Sequence, residues 1–569
     1  MSNSFPTHSV LAISVSFGAL SCFAFAGGIQ FVEQTSVNFP SPNPTDYTNQ
    51  ISFADIDNDG DLDIAFANGG NFSSPGTPQM LRIYINNGVG IFTDETIART
   101  GGLTFRARGV EFGDVDNDGY VDIVVANDFN ALPGLLINDG AGFFTNESHD
   151  RLPPITMSST RGQFGDIDND GDLDLYFTNG GPTNRFGCGQ NRIYINDGNG
   201  FFTDETASRH PLGNVCEPQD AIFGDYDGDF DLDIRTGSTA NDQSKLYRNN
   251  GAGIFSDASN LVPADSNCYS YDFGDINGDG LLDLLGANGG TGNSEILLLN
   301  NGHGFINVSG QIDPNPSIDD NDSKFFDYDN DGDMDFIIAA LFQGAEKIYN
   351  NDGAGNFTQV TGLITGFSDA SLDIGVADLT GDGRLDIVTA QGESGSFQNR
   401  IYINNGPIDT IPPNIVNTEQ LDDTDDNTGP YVVRTAIYDS VSSDRGFYDK
   451  GIYLNYTVDG GPDEQVTMMW SGNSLWRGEI PGQPRGGFVE YSVEAVDHAD
   501  NVGFGKTLSF TIGGVLGDLD GDGVVSTTDL LLLFAQWGAC GDCNDCPADL
   551  DDDCTVGTSD LLVLFSNWG

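Results

Sequence analysis

A nine-residue pattern, Asp-x-Asp-x-Asp-Gly-x-x-Asp, returns along this chain and constrains its folding more than any other feature. Its cleanest copies are Asp55-Ile-Asp57-Asn-Asp59-Gly60-Asp61-Leu-Asp63 and Asp166-Ile-Asp168-Asn-Asp170-Gly171-Asp172-Leu-Asp174. Further copies begin at Asp114, Asp225, Asp275, Asp327 and Asp378, so the span from Asp55 to Asp378 holds six intervals of about 54 residues. A period of about 50 residues implies a repeat array, each unit burying a face against its neighbour.

The pattern also has a chemistry. In an extended or turning backbone, alternate residues point the same way, so positions 1, 3 and 5 converge. Glycine at position 6 supplies the positive φ of a sharp turn. Two carboxylates ~4 Å apart repel by roughly 4 kcal/mol at an effective dielectric of about 20, so such a loop asks for a cation. An all-oxygen, flexible cage favours Ca²⁺ over Mg²⁺. The expected ligands are Asp55, Asp57, Asp59, Asp61 and Asp63 in the first loop; Asp114, Asp116, Asp118, Tyr120 and Asp122 in the second; and Asp166, Asp168, Asp170, Asp172 and Asp174 in the third. Asp225, Asp227, Asp229 and Asp233 follow, then Asp275, Asn277, Asp279 and Asp283, then Asp327, Asp329, Asp331, Asp333 and Asp335, and finally Asp378, Thr380, Asp382 and Asp386. Asn277 and Thr380 offer neutral oxygens, and Phe230 stands where the fourth loop should have glycine. A solvated acidic turn is the alternative for any one copy, because Asn-Asp-Gly is good turn chemistry. Seven copies in phase favour calcium.

The chain has 569 residues with 86 acids against 22 bases, a formal charge of −64. That charge argues against general binding to nucleic acids or anionic membranes. Residues 1–26 read as a signal peptide: Val10 to Phe25 is mostly apolar and Ala24-Phe25-Ala26 precedes Gly27. No Lys or Arg precedes the apolar run, and Cys22 leaves a lipid anchor as a minor alternative. Export, extracellular or to the cell surface, suits calcium modules that load at millimolar concentrations. No later stretch is long and apolar enough to span a membrane.

One repeat shows the strand grammar. Gln50 to Ala54 reads as a strand, followed by the acidic loop. Leu62, Ile64 and Phe66 alternate in a second strand, Leu81 to Ile85 is a third, the turn Asn86-Asn-Gly-Val-Gly90 is hairpin chemistry, and Ile91 to Glu95 is a fourth. The seventh repeat stops at Pro407 without its fourth strand, and Ile29 to Thr35 supplies a similar segment at the other end. The N-terminal segment is therefore expected to complete the last unit and close a seven-bladed β-propeller over residues 27–408.

Phe112-Gly-Asp114-Val-Asp-Asn-Asp-Gly119 and Phe164-Gly-Asp166-Ile-Asp-Asn-Asp-Gly171 resemble the FG-GAP or VCBS repeats of integrin-α-like propellers. The resemblance implies a calcium-stabilised propeller that mediates adhesion or binding. It also places ligand contacts on the face opposite the acidic loops. The antiparallel strand order assigns to that face Arg99, Arg106, Arg108, Arg151, Arg161, Arg185, Arg209, His149 and His210, with Phe186, Tyr269 and Tyr271 nearby. Arg106, Arg108, Arg161, Arg185 and His210 are the candidate ligand residues, Arg108 and Arg161 lining the channel mouth, for an anionic or sugar-like molecule. The alternative is that these arginines pair with neighbouring acids.

Export makes disulfides the default. Cys188–Cys216 is a plausible bridge with Cys268 as competitor, and Cys540, Cys543, Cys546 and Cys554 read as two bridges more readily than a zinc site.

Residues 409–514 read as a β-sandwich with strands at Tyr431 to Ile437, Gly451 to Val458 and Phe488 to Val496, resembling immunoglobulin-like or fibronectin-like modules. Residues 515–569 carry a second calcium grammar. Asp518, Asp520, Asp522, Val524, Ser526 and Asp529 fall at ligand spacing, and Asp549, Asp551, Asp553, Thr555 and Asp560 repeat it. Each loop precedes a helix, Leu530 to Trp537 and Leu561 to Trp568. This tail resembles a cysteine-containing type I dockerin, which implies docking to a cohesin-like receptor through Thr527-Thr528 and Thr558-Ser559. A calcium-stapled cap without partner is the alternative.

The fold class expected is thus mainly β: propeller, sandwich, small α tail. The leading function is a secreted, monomeric calcium-binding scaffold that binds an extracellular protein or polysaccharide through its propeller and docks through its tail. A carbohydrate-active hydrolase or lyase is the alternative, although no H-E-x-x-H or G-x-S-x-G occurs. A purely structural surface protein is the third class.

Overall fold

The computed structural model describes residues 30–568 apart from 72–73, 241–243, 266, 291, 342–345, 368–369, 393–394, 425, 442–450, 485, 514–515, 521–523, 541–545 and 552. The expected signal segment lies outside the described residues. The fold is mainly β and built on the repeat.

The first repeat forms a four-stranded antiparallel sheet of Thr48–Ala54, Asp63–Asn68, Arg82–Ile85 and Thr93–Asp94. Ala107–Gly113, Gly162–Gly165, Pro218–Gly224, Cys268–Gly274, Asp320–Phe326 and Ser371–Ala377 each begin a further sheet of the same kind, the sixth with an added strand Ile312–Asp313. In the seventh sheet the outer strand is Phe31–Glu33, paired antiparallel with Arg400–Asn404, so the N-terminal segment does complete the last repeat.

Burial runs down each sheet. The first two strands are almost wholly buried because both their faces pack on neighbouring sheets, while the fourth strand is mostly exposed. The first strands lie side by side in chain order, and Ser371–Ala377 in turn packs beside Thr48–Ala54. Glycines make the approach close. Phe164 sits over Gly113, Phe223 over Gly165, Phe273 over Gly224 and Phe325 over Gly274, each ring occupying space that a Cβ would need. Phe53 sits likewise over Gly375, joining first sheet to last.

The hairpin turns add a second set of joints. Asn138 Nδ2 donates to the carbonyl of Ile56 at 3.0 Å, and Asn196 reaches Val115, Asn249 Ile167, Asn300 Tyr226 and Asn351 Ile276 in the same way. Asn86 spans from the first sheet to Leu379 of the seventh at 2.9 Å. Between seventh and sixth the donor is Gln30, whose Nε2 bonds the carbonyl of Tyr328 at 2.8 Å.

Residues 414–512 form two packed sheets. One holds Asn414–Thr418, Tyr431–Tyr438, Leu475–Ile480 and Met469–Gly472; the other centres on Gly451–Val458 and Phe488–Val496. Their inner faces share a core of Val433, Ile437, Ile452, Leu454, Tyr491, Val493 and Phe510. In the tail, helices Thr527–Ala535 and Thr558–Ser566 bury Leu533 and Leu564 against Val525, Ala548 and Val556.

Candidate metal centres and ligand mouth

Each acidic loop is held by its first and last carboxylates. Asp55 accepts the N–H groups of Asp59 at 3.0 Å and Gly60 at 2.9 Å, and Asp114, Asp225, Asp275, Asp327 and Asp378 do the same in their loops. Asp166 accepts from Gly171 at 3.1 Å. Asp63 is buried and accepts from Ile56 at 3.1 Å and from Asn86 at 2.7 Å, tying the loop to the third strand. Asp122, Asp174, Asp283, Asp335 and Asp386 repeat this double bond. Asp233 makes the matching bond to Asn249 at 2.7 Å. Phe230 adopts φ +65° and still donates its N–H to Asp225 at 2.9 Å, so the fourth loop keeps its shape without glycine there.

The third position differs. Oδ1 of Asp57, Asp116, Asp168, Asp227 and Asp329, and Oγ1 of Thr380, are buried with no hydrogen-bond partner among the described residues. Oxygens of Asp55, Asp57 and Asp63 lie within 4.8 Å of one another, as do those of Asp114, Asp116 and Asp122, and of Asp166, Asp168 and Asp170. Unmatched buried oxygens aimed into a carboxylate cluster are what a cation would satisfy, so the donor set fits calcium. Burial, reinforced by neighbouring carboxylates, pushes Asp63 and Asp283 up to about 8 and Asp122 to about 7. The same causes hold Asp174, Asp233, Asp335 and Asp386 well above the usual carboxylate range. A cation offsets that cost.

Other expected ligands are placed differently. Asp59, Asp118, Asp170, Asp229, Asp279 and Asp331 accept the N–H two residues on. The carboxylates of Asp61, Asp172 and Asp333 lie against Gly88, Gly198 and Gly353 of the hairpin turns, and the ring of Tyr120 against Gly140. Asn277 Oδ1 accepts from Asp279 at 2.9 Å, and Asp382 pairs with Arg384 at 2.9 Å.

Three arginines expected on the opposite face belong to these loops instead. Arg99 pairs with Asp57 at 2.7 Å, Arg151 with Asp116 at 3.2 Å and Arg209 with Asp168 at 2.9 Å. The fourth strand is only two or three residues long and gives way to a short helix, Thr96–Thr100, Ser148–Arg151 or Thr206–Arg209, within reach of the loops. The signal was present as Glu95-Thr-Ile-Ala-Arg99, Glu147-Ser-His-Asp-Arg151 and Glu205-Thr-Ala-Ser-Arg209, each Glu and Arg paired four residues apart.

The two-sheet module covers part of the loop face. Ser471 O accepts the N–H of Asp166 and Ser440 O that of Asp327, both at 2.7 Å. Arg434 pairs with Asp231 at 2.8 Å and Val416 packs over Gly280, while Ile411 and Ile408, just before the module, pack over Gly332 and Gly383.

The other face carries a central depression. In six sheets the first strand has a register irregularity that skips one residue: Asn49, Arg108, Gln219, Tyr269, Asn321 or Leu372. Those six residues, with Arg161 and Thr160 of the third repeat and Arg185, line one open depression. A bulge re-aims a side chain, and here it directs one residue per sheet to a common mouth. Arg108 and Arg161 line this depression, but they are not free cations. Arg108 lies 3.4 Å from Asp128 and bonds Asn49 at 2.6 Å, while Arg161 pairs with Asp220 at 2.6 Å and lies 3.6 Å from Asp373. Arg185 is buried, stacked 4.6 Å from the Phe186 ring. Arg106 bonds the carbonyl of Pro75 at 3.2 Å and does not line the depression.

His210 is not at the surface. It is 4 % exposed, 4.4 Å from the Tyr247 ring, with Tyr176 Oη 3.3 Å and Gln190 Nε2 3.0 Å from its nitrogens, and burial lowers it to about 4. Tyr271 is buried under Arg235.

In the tail, Asp529 accepts from Leu519 at 2.6 Å, Asp520 at 3.0 Å and Ser526 at 2.8 Å, and Asp560 repeats this with Leu550, Asp551 and Gly557. Asp549 accepts from Asp553 and Cys554, and Ser526 Oγ caps its helix. Val524, Asp551, Asp553 and Thr555 are exposed, whereas Asp522 lies outside the described residues. Thr527, Thr528 and Thr558 are exposed and Ser559 partly so. Cys188–Cys216 and Cys540–Cys546 are disulfides, Cys554 is disulfide-bonded, and Cys268 is a buried thiol. Cys543 lies outside the described residues. Among the described residues no helix is long and apolar enough to cross a membrane.

Five segments, residues 70–125, 114–177, 237–286, 275–338 and 327–389, match the model of an FG-GAP-like repeat. Together these segments span a little under half of the chain, and with the sheets described above they support a repeat-built, propeller-like β fold. No curated protein matches the chain. Among solved structures, a fructofuranosidase from Schwanniomyces occidentalis complexed with fructosylnystose is 10% identical over 84% of this chain and 92% of that one, with a TM-score of 0.27. The polysaccharide lyase Uly1 is 13% identical over 66% of this chain and 97% of that one, with a TM-score of 0.33. Fibronectin(III)-like modules of Clostridium thermocellum CbhA are 13% identical over 32% of this chain and 85% of theirs, with a TM-score of 0.13. Superpositions this loose carry no inference about activity.

Proposed function

We propose that this chain is a secreted, calcium-stabilised scaffold that binds a polar extracellular ligand at the mouth of a closed seven-bladed propeller, residues 27–408. Residues 1–26 are its signal peptide, 409–514 an immunoglobulin- or fibronectin-like spacer, and 515–569 a dockerin-like tail for a cohesin-like receptor. Calcium in the acidic loops is supported by the buried oxygens at position 3 of six loops that have no hydrogen-bond partner among the described residues.

The observation that carries the binding role is the convergence of side chains from all seven repeats, six of them from bulged first strands, on one depression. Packing alone does not require a bulge at the same place in six inner strands. Asp128, Asp220 and Asp373 offset Arg108 and Arg161, so the mouth presents hydrogen-bonding groups and an aromatic ring more than net positive charge. That favours a saccharide or other polar, largely uncharged ligand over a polyanion.

The test is a glycan and protein array probed with the full chain in calcium, followed by calorimetry on any hit. The double variant Gln219→Ala with Tyr269→Ala should weaken binding at least tenfold, about 1.4 kcal/mol. A hit indifferent to both changes, or no hit, removes the mouth from consideration. Steady release of sugar from a bound polysaccharide would move the protein to the enzyme class.

A further inference from the structure

Outside the repeat loops, three segments meet at a different donor set. Asp409 follows the last repeat strand, Asp439 follows Tyr431–Tyr438 of the two-sheet module, and His498 sits in the turn after Phe488–Val496. One carboxylate oxygen of Asp409, one of Asp439 and an imidazole nitrogen of His498 lie within 4.8 Å of one another. His498 Nε2 is 3.8 Å from Asp409 Oδ2, and their side chains are 11% and 1% exposed.

Two of the atoms in this cluster are buried and unmatched: Asp439 Oδ1 and His498 Nε2 have no hydrogen-bond partner among the described residues. The remaining groups are held in place. Asp409 Oδ1 accepts from Ile411 at 2.9 Å and Oδ2 from Ser440 Oγ at 3.2 Å, while the Asp409 N–H donates to Gly383 O at 2.8 Å. Asp497 organises the turn, accepting from Ala499 and Asn501 at 2.8 Å each, and so fixes the backbone that carries His498. Asp439 also borders a cavity between the module and the fifth and sixth repeats, which gives a solvent path to the cluster.

We propose that Asp409, Asp439 and His498 form a site for a divalent transition-metal ion of the zinc class, separate from the calcium loops, that fastens the two-sheet module to the repeat array. The donors select it. Calcium takes oxygen ligands, whereas imidazole with carboxylates suits zinc and its neighbours. Two bonds of about 2 Å to one ion span up to about 4 Å, which accommodates the His498–Asp409 separation. Three protein donors leave a position for water.

Cobalt(II) is the probe, added to the full chain in saturating calcium. The expected result is one Co²⁺ per chain by equilibrium dialysis, with d–d absorption and a cobalt-shifted imidazole resonance, displaced by Zn²⁺ and not by more calcium. His498→Ala and Asp439→Asn should each weaken retention at least thirtyfold. Wild-type protein that retains no Co²⁺, or shows no shifted imidazole resonance, overturns the proposal whatever the variants do. Equal retention by a folded His498→Ala protein overturns it as well.

Discussion

The ring of Phe273 lies only 2.7 Å from where a Cβ on Gly224 would sit, so neighbouring sheets approach through a missing side chain. The pair explains the recurring Phe-Gly dipeptide. The phenylalanine of one sheet needs the glycine of the sheet before it, and the same fit recurs at Phe164 on Gly113 and Phe325 on Gly274. Gly224→Ala forces an aromatic ring to move in a close-packed interior, and overpacking of this kind costs about 2 kcal/mol. Denaturant unfolding should show that loss. An unchanged midpoint would mean that the sheets have slack between them.

Arg99 binds Asp57 and Glu95 and donates to the carbonyl of Ala141 at 2.6 Å, so it links the first acidic loop to the second sheet. Arg99→Met should cost about 3 kcal/mol, because it strands a largely buried carboxylate. If calcium occupies the loop, the cation shares that charge, and the loss should be larger in chelator than in calcium. Melting both forms in both buffers tests the difference; equal losses would separate the arginine from the cation site.

Chelation itself should lower the melting temperature markedly. A ligand at a hundred times its Kd stabilises by about 2.7 kcal/mol per site, and several sites act on one array. Calorimetry with EDTA, followed by calcium add-back and elemental analysis, reads this directly. Material that contains no metal and melts identically in both buffers would end the calcium reading.

His210 sets a pH dependence. Its folded value of about 4 lies below the unfolded value of about 6.5, because burial disfavours the charged ring. The unfolded chain therefore takes up a proton first on acidification. The stability tied to neutral His210 is complete above about pH 6.5 and is lost progressively down to about pH 4, by about 3 kcal/mol in all. Against His210→Gln, the wild type should lose up to one proton's worth of extra slope across that window. Parallel pH profiles would contradict it.

Much of the repeat was legible in sequence. Asp55, Gly60 and Asp63 mark a loop whose carboxylates and backbone N–H groups are neighbours in the chain, and the hairpin turn at Asn86 is set by its own residues. The closing strand at Phe31–Glu33 could be read because the seventh repeat lacked one. The destinations of long side chains were not legible. Arg99, Arg151 and Arg209 reach the acidic loops because the fourth strand stops early, and His210 turns inward onto Tyr176 and Tyr247.

By itself the sequence determined the period, the strand order and the chemistry of the acidic loops, since these depend on residues a few positions apart. Only the tertiary structure decided which residues face the mouth, which acids neutralise Arg108 and Arg161, and that Asp409, Asp439 and His498 meet. Those depend on bulges and on packing between segments far apart in the chain, where a side chain's partner is fixed by the arrangement of sheets and not by spacing along the backbone.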